Sequence, residues 1–237
     1  MGASEGGKMV QHIGIVGCSA EGAALCYRTI CAEGAALLGP HAHPEVSMHT
    51  PSLADYVACL DRGDWQGVGA LMLASARKLA AVGADFLICP DNTIHQALTL
   101  IRDASPLLWI SIADVVAAEA KRRGLRKLAI TGTTWLVDGP VYPDALAAQG
   151  LDWLRPLEAE RVEIGRIIMD ELVPGIIRAE SIAYFQTVIT RMQGEGCDGV
   201  ILGCTEIPLI LSDQNSPLPV LDSTRLLARA ALQRAVG

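Results

Sequence analysis

Ile201-Leu-Gly-Cys-Thr-Glu-Ile-Pro-Leu209 carries an apolar, strand-like run that starts at Gly199 and stops at Leu202, just before a single thiol, Cys204. An apolar run opening into Gly, Thr and Glu has the form of a buried strand ending at a ligand-binding turn. Earlier in the chain, Phe86-Leu-Ile-Cys-Pro-Asp-Asn-Thr-Ile-His95 has the same form. The chain therefore reads as two related halves facing one site.

The segments around these two extend the pattern. His12-Ile-Gly-Ile-Val-Gly17 is a short apolar strand followed by Cys18-Ser19 and a helical stretch from Ala20 to Glu33. Lys127-Leu-Ala-Ile-Thr-Gly132 opens the second half in the same way. Val46 to His49, Leu107 to Ile110 and Leu218 to Leu221 are shorter strand candidates. Ser52 to Leu60, Trp65 to Val82, Ala113 to Arg123, Pro140 to Gly150, Glu160 to Leu172, Ser181 to Gln193 and Ser223 to Ala235 are predicted helices, several of them stopped by a following Gly. Strands and helices alternating at these lengths imply an α/β fold of parallel sheets with crossover connections.

Composition narrows the class. The 237 residues are 51% hydrophobic and only 4% aromatic, which suits helices packed closely on buried parallel strands. A net charge of -7 argues against nucleic acid, which requires clustered Lys and Arg. No apolar run approaches the roughly 18 residues that span a bilayer. Seven cysteines make an odd number without metal-type spacing, so a metal site is not expected and a reducing cytoplasm is the expected compartment. The Gly spacings match no nucleotide-binding loop. Residues 1–11 read as a flexible leader.

At the strand ends, Cys204 is either a structural thiol or a reactive one, with Gly203 allowing close approach and Thr205 offering a hydroxyl and a backbone donor. Glu206 either orients a neighbour or starts a helix as a solvated carboxylate. Asp91, Asn92 and Thr93 are either a capping triplet or a carboxylate cradle in which Asp91 moves a proton. Ser19 after the first strand, and Thr133 and Thr134 after its second-half counterpart, are further candidates for substrate binding, with turn chemistry as the competing account. Cys89 lies on the same strand face as Asp91 and is a reserve thiol. His95 reads better as a satisfied polar residue than as a catalytic one.

With both strand ends in view, the chain resembles the aspartate/glutamate racemase family, which works without pyridoxal phosphate. The likeness rests on Ile13-Gly-Ile-Val-Gly17, on Gly83-Ala-Asp85 leading into Asn92-Thr93-Ile94-His95, on Thr131-Gly-Thr-Thr134, and above all on Gly196-Cys-Asp-Gly-Val-Ile-Leu-Gly-Cys-Thr-Glu-Ile-Pro-Leu209. The resemblance implies two pseudo-symmetric lobes, a site in the cleft between them, no cofactor and a homodimer. The lobes are expected over 12–110 and 111–222, with the helix at 223–235 returning to the first. In that family one thiol from each lobe faces the substrate α-carbon. Cys204 matches the second of these, and Asp91 stands where the first is expected, directly before Asn92-Thr93.

That departure carries an energetic cost. Ordinary carboxyl and thiol pKa values place the state with neutral Asp and ionised Cys about 6 kcal/mol above its opposite, at 1.36 kcal/mol per unit. Symmetric racemisation therefore requires a raised Asp91 pKa, a lowered Cys204 pKa, or both. The leading reading is a cofactor-independent amino-acid racemase or epimerase with Cys204 and Asp91 as the acid/base groups and Asn92, Thr93 and Thr205 binding the α-carboxylate. Alternatives are one-thiol decarboxylation or cis-trans isomerisation, and an inactive amino-acid-binding relative. The expected partner is a small carboxylate or amino acid. An Asp or Glu substrate needs a second, basic anchor, for which His49 and Arg178 are guesses; a missing anchor would point away from both.

Overall fold

In the computed structural model, which describes residues 9–237, β1 (Ile13–Val16) is buried at every position, as a strand covered on both faces must be. It feeds α1 (Ala20–Leu38) through Ser19, whose side chain caps the helix by accepting from the Gly22 amide at 3.2 Å. β2 (Val46–His49), α2 (Leu53–Leu60) and α3 (Trp65–Ala81) follow. β3 (Phe86–Ile88) runs into a tight 3₁₀ turn at Thr93–Ala97 that continues as α4 (Leu98–Ile101), and β4 (Trp109–Ile110) leads to α5 (Ile112–Arg122). The four strands are parallel, in the order β2-β1-β3-β4.

The second half repeats this scheme. β5 (Lys127–Thr131) is followed by α6 (Thr134–Val137) and α7 (Val141–Ala148), then β6 (Asp152–Leu154) and α8 (Glu158–Ile167). A single wide π turn at Ile168–Leu172 ends α8, and α9 (Ala179–Gly194) leads to β7 (Gly199–Leu202), β8 (Val220–Asp222) and α10 (Ser223–Val236). The order is β6-β5-β7-β8, again all parallel, so each strand of the second sheet has a counterpart in the first. Sequence reading found no strand at β6. Its three residues are half-exposed or exposed, and Gly150 and Pro156 close in on it from either side, so little hydrophobic pattern marks it. The helix expected over Glu160 to Leu172 starts at Glu158 and widens at its end into the π turn.

Two helices cross between the halves. α5 leaves the first sheet from β4, yet Ala113, Val116, Ala117 and Ala120 pack with Leu128, Ile130 and Ile201 of the second sheet. Conversely, α10 leaves the second sheet from β8 and lays Leu227, Ala228 and Ala231 on Ile13, Ile15, Phe86 and Ile88 of the first. The small side chains let helix and sheet approach closely. An ion pair between Arg229 and Glu33 at 2.8 Å ties α10 to α1 on the outside. The leader expected over 1–11 lies for the most part outside the described residues; Gln11 is already fixed, its amide donating to the Ala235 carbonyl at 2.9 Å.

One glycine records how tightly α1 abuts the ends of β3 and β7. A Cβ on Gly22 would lie 2.5 Å from the Pro90 carbonyl oxygen and 2.7 Å from the Thr205 methyl. Gly22→Ala is therefore expected to destabilise the fold by about 1–3 kcal/mol through overpacking, despite the better helix propensity of Ala. Gly194→Ala, where a Cβ meets nothing within 4 Å, is expected to be neutral or stabilising. Thermal denaturation of the two variants checks both signs.

Candidate active site

The carboxyl ends of β1, β3, β5 and β7 converge on a small cavity of about 50 Å³. From the first half it is bordered by Cys18, Ser19, Asp91 and Thr93, and from the second by Thr133, Cys204 and Glu206. This is where an open parallel sheet holds ligands. A larger groove of about 370 Å³ runs between α4, α5 and α7, but it lies away from these strand ends and contains no thiol, so size alone does not locate the chemistry.

Hydrogen bonds across the two halves bring the strand ends together. Ser19 Oγ and Thr205 Oγ1 are 3.1 Å apart, and Thr93 Oγ1 and Thr133 Oγ1 are 3.0 Å apart. In each pair a hydroxyl that caps the first helix of one half meets a threonine beyond the third strand of the other. Asn92 supplies a third tie. Its Oδ1 accepts from the Tyr142 hydroxyl at 2.5 Å, and its Nδ2 donates to Ser223 Oγ at 3.0 Å, which in turn donates to the Leu202 carbonyl at 2.8 Å. The Asn92 side chain is thus occupied as a strut and does not border the cavity, which corrects its expected role as a carboxylate ligand. Thr205 also sits one layer behind the cavity, its hydroxyl donating to Glu206 Oε2 at 2.8 Å.

Cys204 Sγ donates to the same Glu206 oxygen at 2.9 Å. Glu206 is 4% exposed, which settles its two sequence readings in favour of the orienting one. Burial first, and then the Glu206 charge, push the Cys204 pKa well above the ordinary thiol value. Asp91 Oδ1 accepts from the Ile94 amide at 3.1 Å, capping the 3₁₀ turn. Burial raises the Asp91 pKa to about 6, with the Glu206 charge adding to the rise and the Ile94 amide opposing it. Beside Asp91, within hydrogen-bonding reach, lies the Cys18 thiol, itself raised by burial first and by the Asp91 charge second. Each half therefore presents a thiol next to a carboxylate, Cys18 with Asp91 and Cys204 with Glu206. Sequence reading gave Cys18 no role of its own, because its neighbour lies in a distant segment.

The remaining candidates lie elsewhere. Cys89 is fully buried in the core with Leu87 and Ile94, off the cavity, so of Cys89 and Asp91 it is Asp91 that borders it. His95 is buried; its Nε2 accepts from the Ile112 amide at 3.1 Å, which leaves the proton on Nδ1 to donate to the Asp91 carbonyl at 2.6 Å. Burial lowers its pKa to about 4, so it is a neutral strut behind Asp91. His49 is paired with Ser75 Oγ and Lys78 Nζ, both at 2.9 Å, away from the cavity, and Arg178 lies 3.6 Å from Glu171. Neither is the anchor guessed from sequence. Thr134 opens onto a neighbouring surface groove with Gly165 and Arg166 rather than into the cavity. Among the described residues, no group of three or more His, Cys, Asp or Glu side chains could hold a metal ion, and no helix is long and apolar enough to cross a membrane.

The rest of the lining was not anticipated. Leu53, Val57 and Leu60 present one face of α2, at i, i+4 and i+7. Opposite, the π turn at the end of α8 brings Ile168 and Met169, with Val173 just beyond, to the same cavity, and Trp135 closes one side.

Comparison with known proteins agrees with the fold. The chain superposes on a Yersinia pestis protein provisionally described as an Asp/Glu racemase with a TM-score of 0.88 and 30% identity, covering 96% of this chain and 100% of that one. An aspartate racemase homologue from Pyrococcus horikoshii gives 0.82 and 26% over the same shares. A broad-specificity amino-acid racemase of Bacillus subtilis is 21% identical over 164 residues, 68% of this chain and 69% of that protein. The model of the Asp/Glu/hydantoin racemase family matches residues 13–231, and the chain belongs to that family.

Proposed function

We propose that this chain is a cofactor-independent amino-acid racemase or epimerase that moves a proton at the α-carbon of a small carboxylate. The observation that carries the reading is that Asp91 from one half and Cys204 from the other border the same cavity. At neutral pH the two groups hold complementary states: Asp91, with a pKa of about 6, is mostly ionised, and Cys204 keeps its proton. The Asp91 carboxylate takes the α-proton, the electron pair passes into the substrate carboxyl as an enediolate, and the Cys204 thiol returns a proton to the opposite face. Ser19, Thr93 and Thr133 offer hydroxyls to the α-carboxylate, together with main-chain amides at the strand ends.

The product state holds a neutral Asp91 and a Cys204 thiolate. The raised Asp91 pKa eases it, whereas the raised Cys204 pKa opposes it. Glu206 and Cys18 add to that opposition: the Glu206 charge disfavours the thiolate, and the Cys18 thiol beside Asp91 favours the ionised carboxylate, so turnover closes only when the proton on Asp91 is released and the thiolate is reprotonated. The same imbalance favours one second reading, in which Cys204 acts only as a proton donor to a carbanion formed by decarboxylation.

Exchange of the α-proton into D2O, followed by NMR from each enantiomer across the amino acids, tests the proposal. Exchange is expected, with Cys204→Ala and Asp91→Asn each lowering it about 10²- to 10⁴-fold. No exchange with any amino acid rejects racemisation, and carbon dioxide release lost in Cys204→Ala favours the second reading.

The pH dependence has a fixed sign. From the enantiomer whose proton meets Asp91, kcat/KM is expected to rise with pH and level off above about 6, because the base must be ionised. Asp91→Asn removes that limb. The folded pKa lies above the ordinary 3.8, so the fold favours the neutral carboxyl. Its stabilising contribution, up to about 3 kcal/mol at 1.36 kcal/mol per unit, is present below pH 4 and lost as pH rises through 6. Urea denaturation is therefore expected to show Asp91→Asn gaining stability relative to the parent between pH 4 and 7.

A further inference from the structure

The cavity has two unlike poles. The strand ends contribute thiols, hydroxyls and two carboxylates, Asp91 and Glu206. The opposite wall is α2 and the π turn, with Leu53, Val57, Leu60, Ile168, Met169 and Val173. Among the described residues no Lys, Arg or His borders it. Cations on nearby elements are engaged elsewhere: Arg166 bridges Glu163 and Glu171, at 2.6 and 3.0 Å, and Arg178 lies 3.6 Å from Glu171.

We propose that the substrate is an amino acid with an apolar side chain of about the size of leucine or methionine, lodged between α2 and the π turn, and not a dicarboxylate. This rests on the reading of the site as one that acts at an amino-acid α-carbon. The hydroxyls and amides of the polar pole suit one carboxylate. A second carboxylate, on the substrate side chain, would be desolvated against six apolar side chains and repelled by Asp91 and Glu206, with no cation to offset either effect. The local structure supports the same choice. A regular α-helical end to α8 would place successive side chains 100° apart, whereas the widened turn brings the adjacent Ile168 and Met169, and Val173 one wide turn later, to the same wall. Val173 is 39% exposed and marks the mouth, so the apolar wall runs continuously from surface to site.

Isothermal titration of the full chain with both enantiomers of leucine, methionine, aspartate and glutamate, run beside α-proton exchange with the same eight compounds, tests this. The apolar pair is expected to bind at least tenfold more tightly than the acidic pair, with kcat/KM for exchange in the same order. Val57→Arg, which adds a cation to the wall from a partly exposed position, is expected to shift the ratio toward glutamate by at least tenfold. Tighter or equal binding of the acidic amino acids overturns the proposal, as does binding of neither class. Leucine or methionine binding without exchange upholds the side-chain assignment and rejects racemisation instead.

Discussion

The site exists because side chains at four strand ends bond to one another across the two halves of the chain. The Ser19–Thr205 and Thr93–Thr133 pairs and the Asn92 strut are buried, so each is costly to break: a buried hydrogen bond contributes about 1 kcal/mol net, but leaving a partner unsatisfied costs about 1–3 kcal/mol. These ties fix how far the Asp91 turn stands from the Cys204 turn. They also explain why Asn92, adjacent to the proposed base Asp91, contributes its side chain to architecture. Its partners, Tyr142 and Ser223, belong to the second half, so the residue that positions Asp91 is itself positioned by the opposite lobe.

Electrostatics treats Asp91 and Cys204, the two proposed acid/base groups, unevenly. Asp91 is partly buried and feels the Glu206 charge, which brings its pKa toward neutrality and makes it a better-matched base. Cys204 moves the other way, since the nearest group to its sulfur is a carboxylate. Only the first of the two adjustments that symmetric racemisation needs is present in the resting protein. Each thiol lies against a carboxylate, Cys18 against Asp91 and Cys204 against Glu206, and that neighbouring charge holds the proton on the sulfur in the resting protein.

Much of the fold was legible because parallel strands buried on both faces must be apolar throughout. Gly199 to Leu202 and Phe86 to Ile88 announce themselves that way, and polar residues after them, Asp91, Thr93, Cys204 and Glu206, border the cavity. Asp152–Leu154 escaped notice because an edge strand with exposed and half-exposed residues carries little such signal. Long-range partnership was equally hidden. Nothing local tells that Cys18 lies against Asp91, that Glu206 is sealed from solvent, or that the Leu53, Val57 and Leu60 face of an ordinary amphipathic helix meets a π turn more than a hundred residues away. His49, named as a candidate basic anchor, ends the edge strand β2, and Lys78 and Ser75 claim it.

The crossing of α5 and α10 bears on how such a molecule could be divided. A cut in the turn at Gly124 would separate the two sheets cleanly in sequence, yet the upstream fragment would lack Leu227, Ala228 and Ala231 over Ile13, Ile15 and Phe86, while carrying away the helix that covers Leu128 and Ile130. Neither piece would own a complete hydrophobic interior. The repeat visible along the chain is therefore not a pair of separable modules: the halves are interlocked, and reconstituting the protein from two polypeptides would require them to trade helices as they associate.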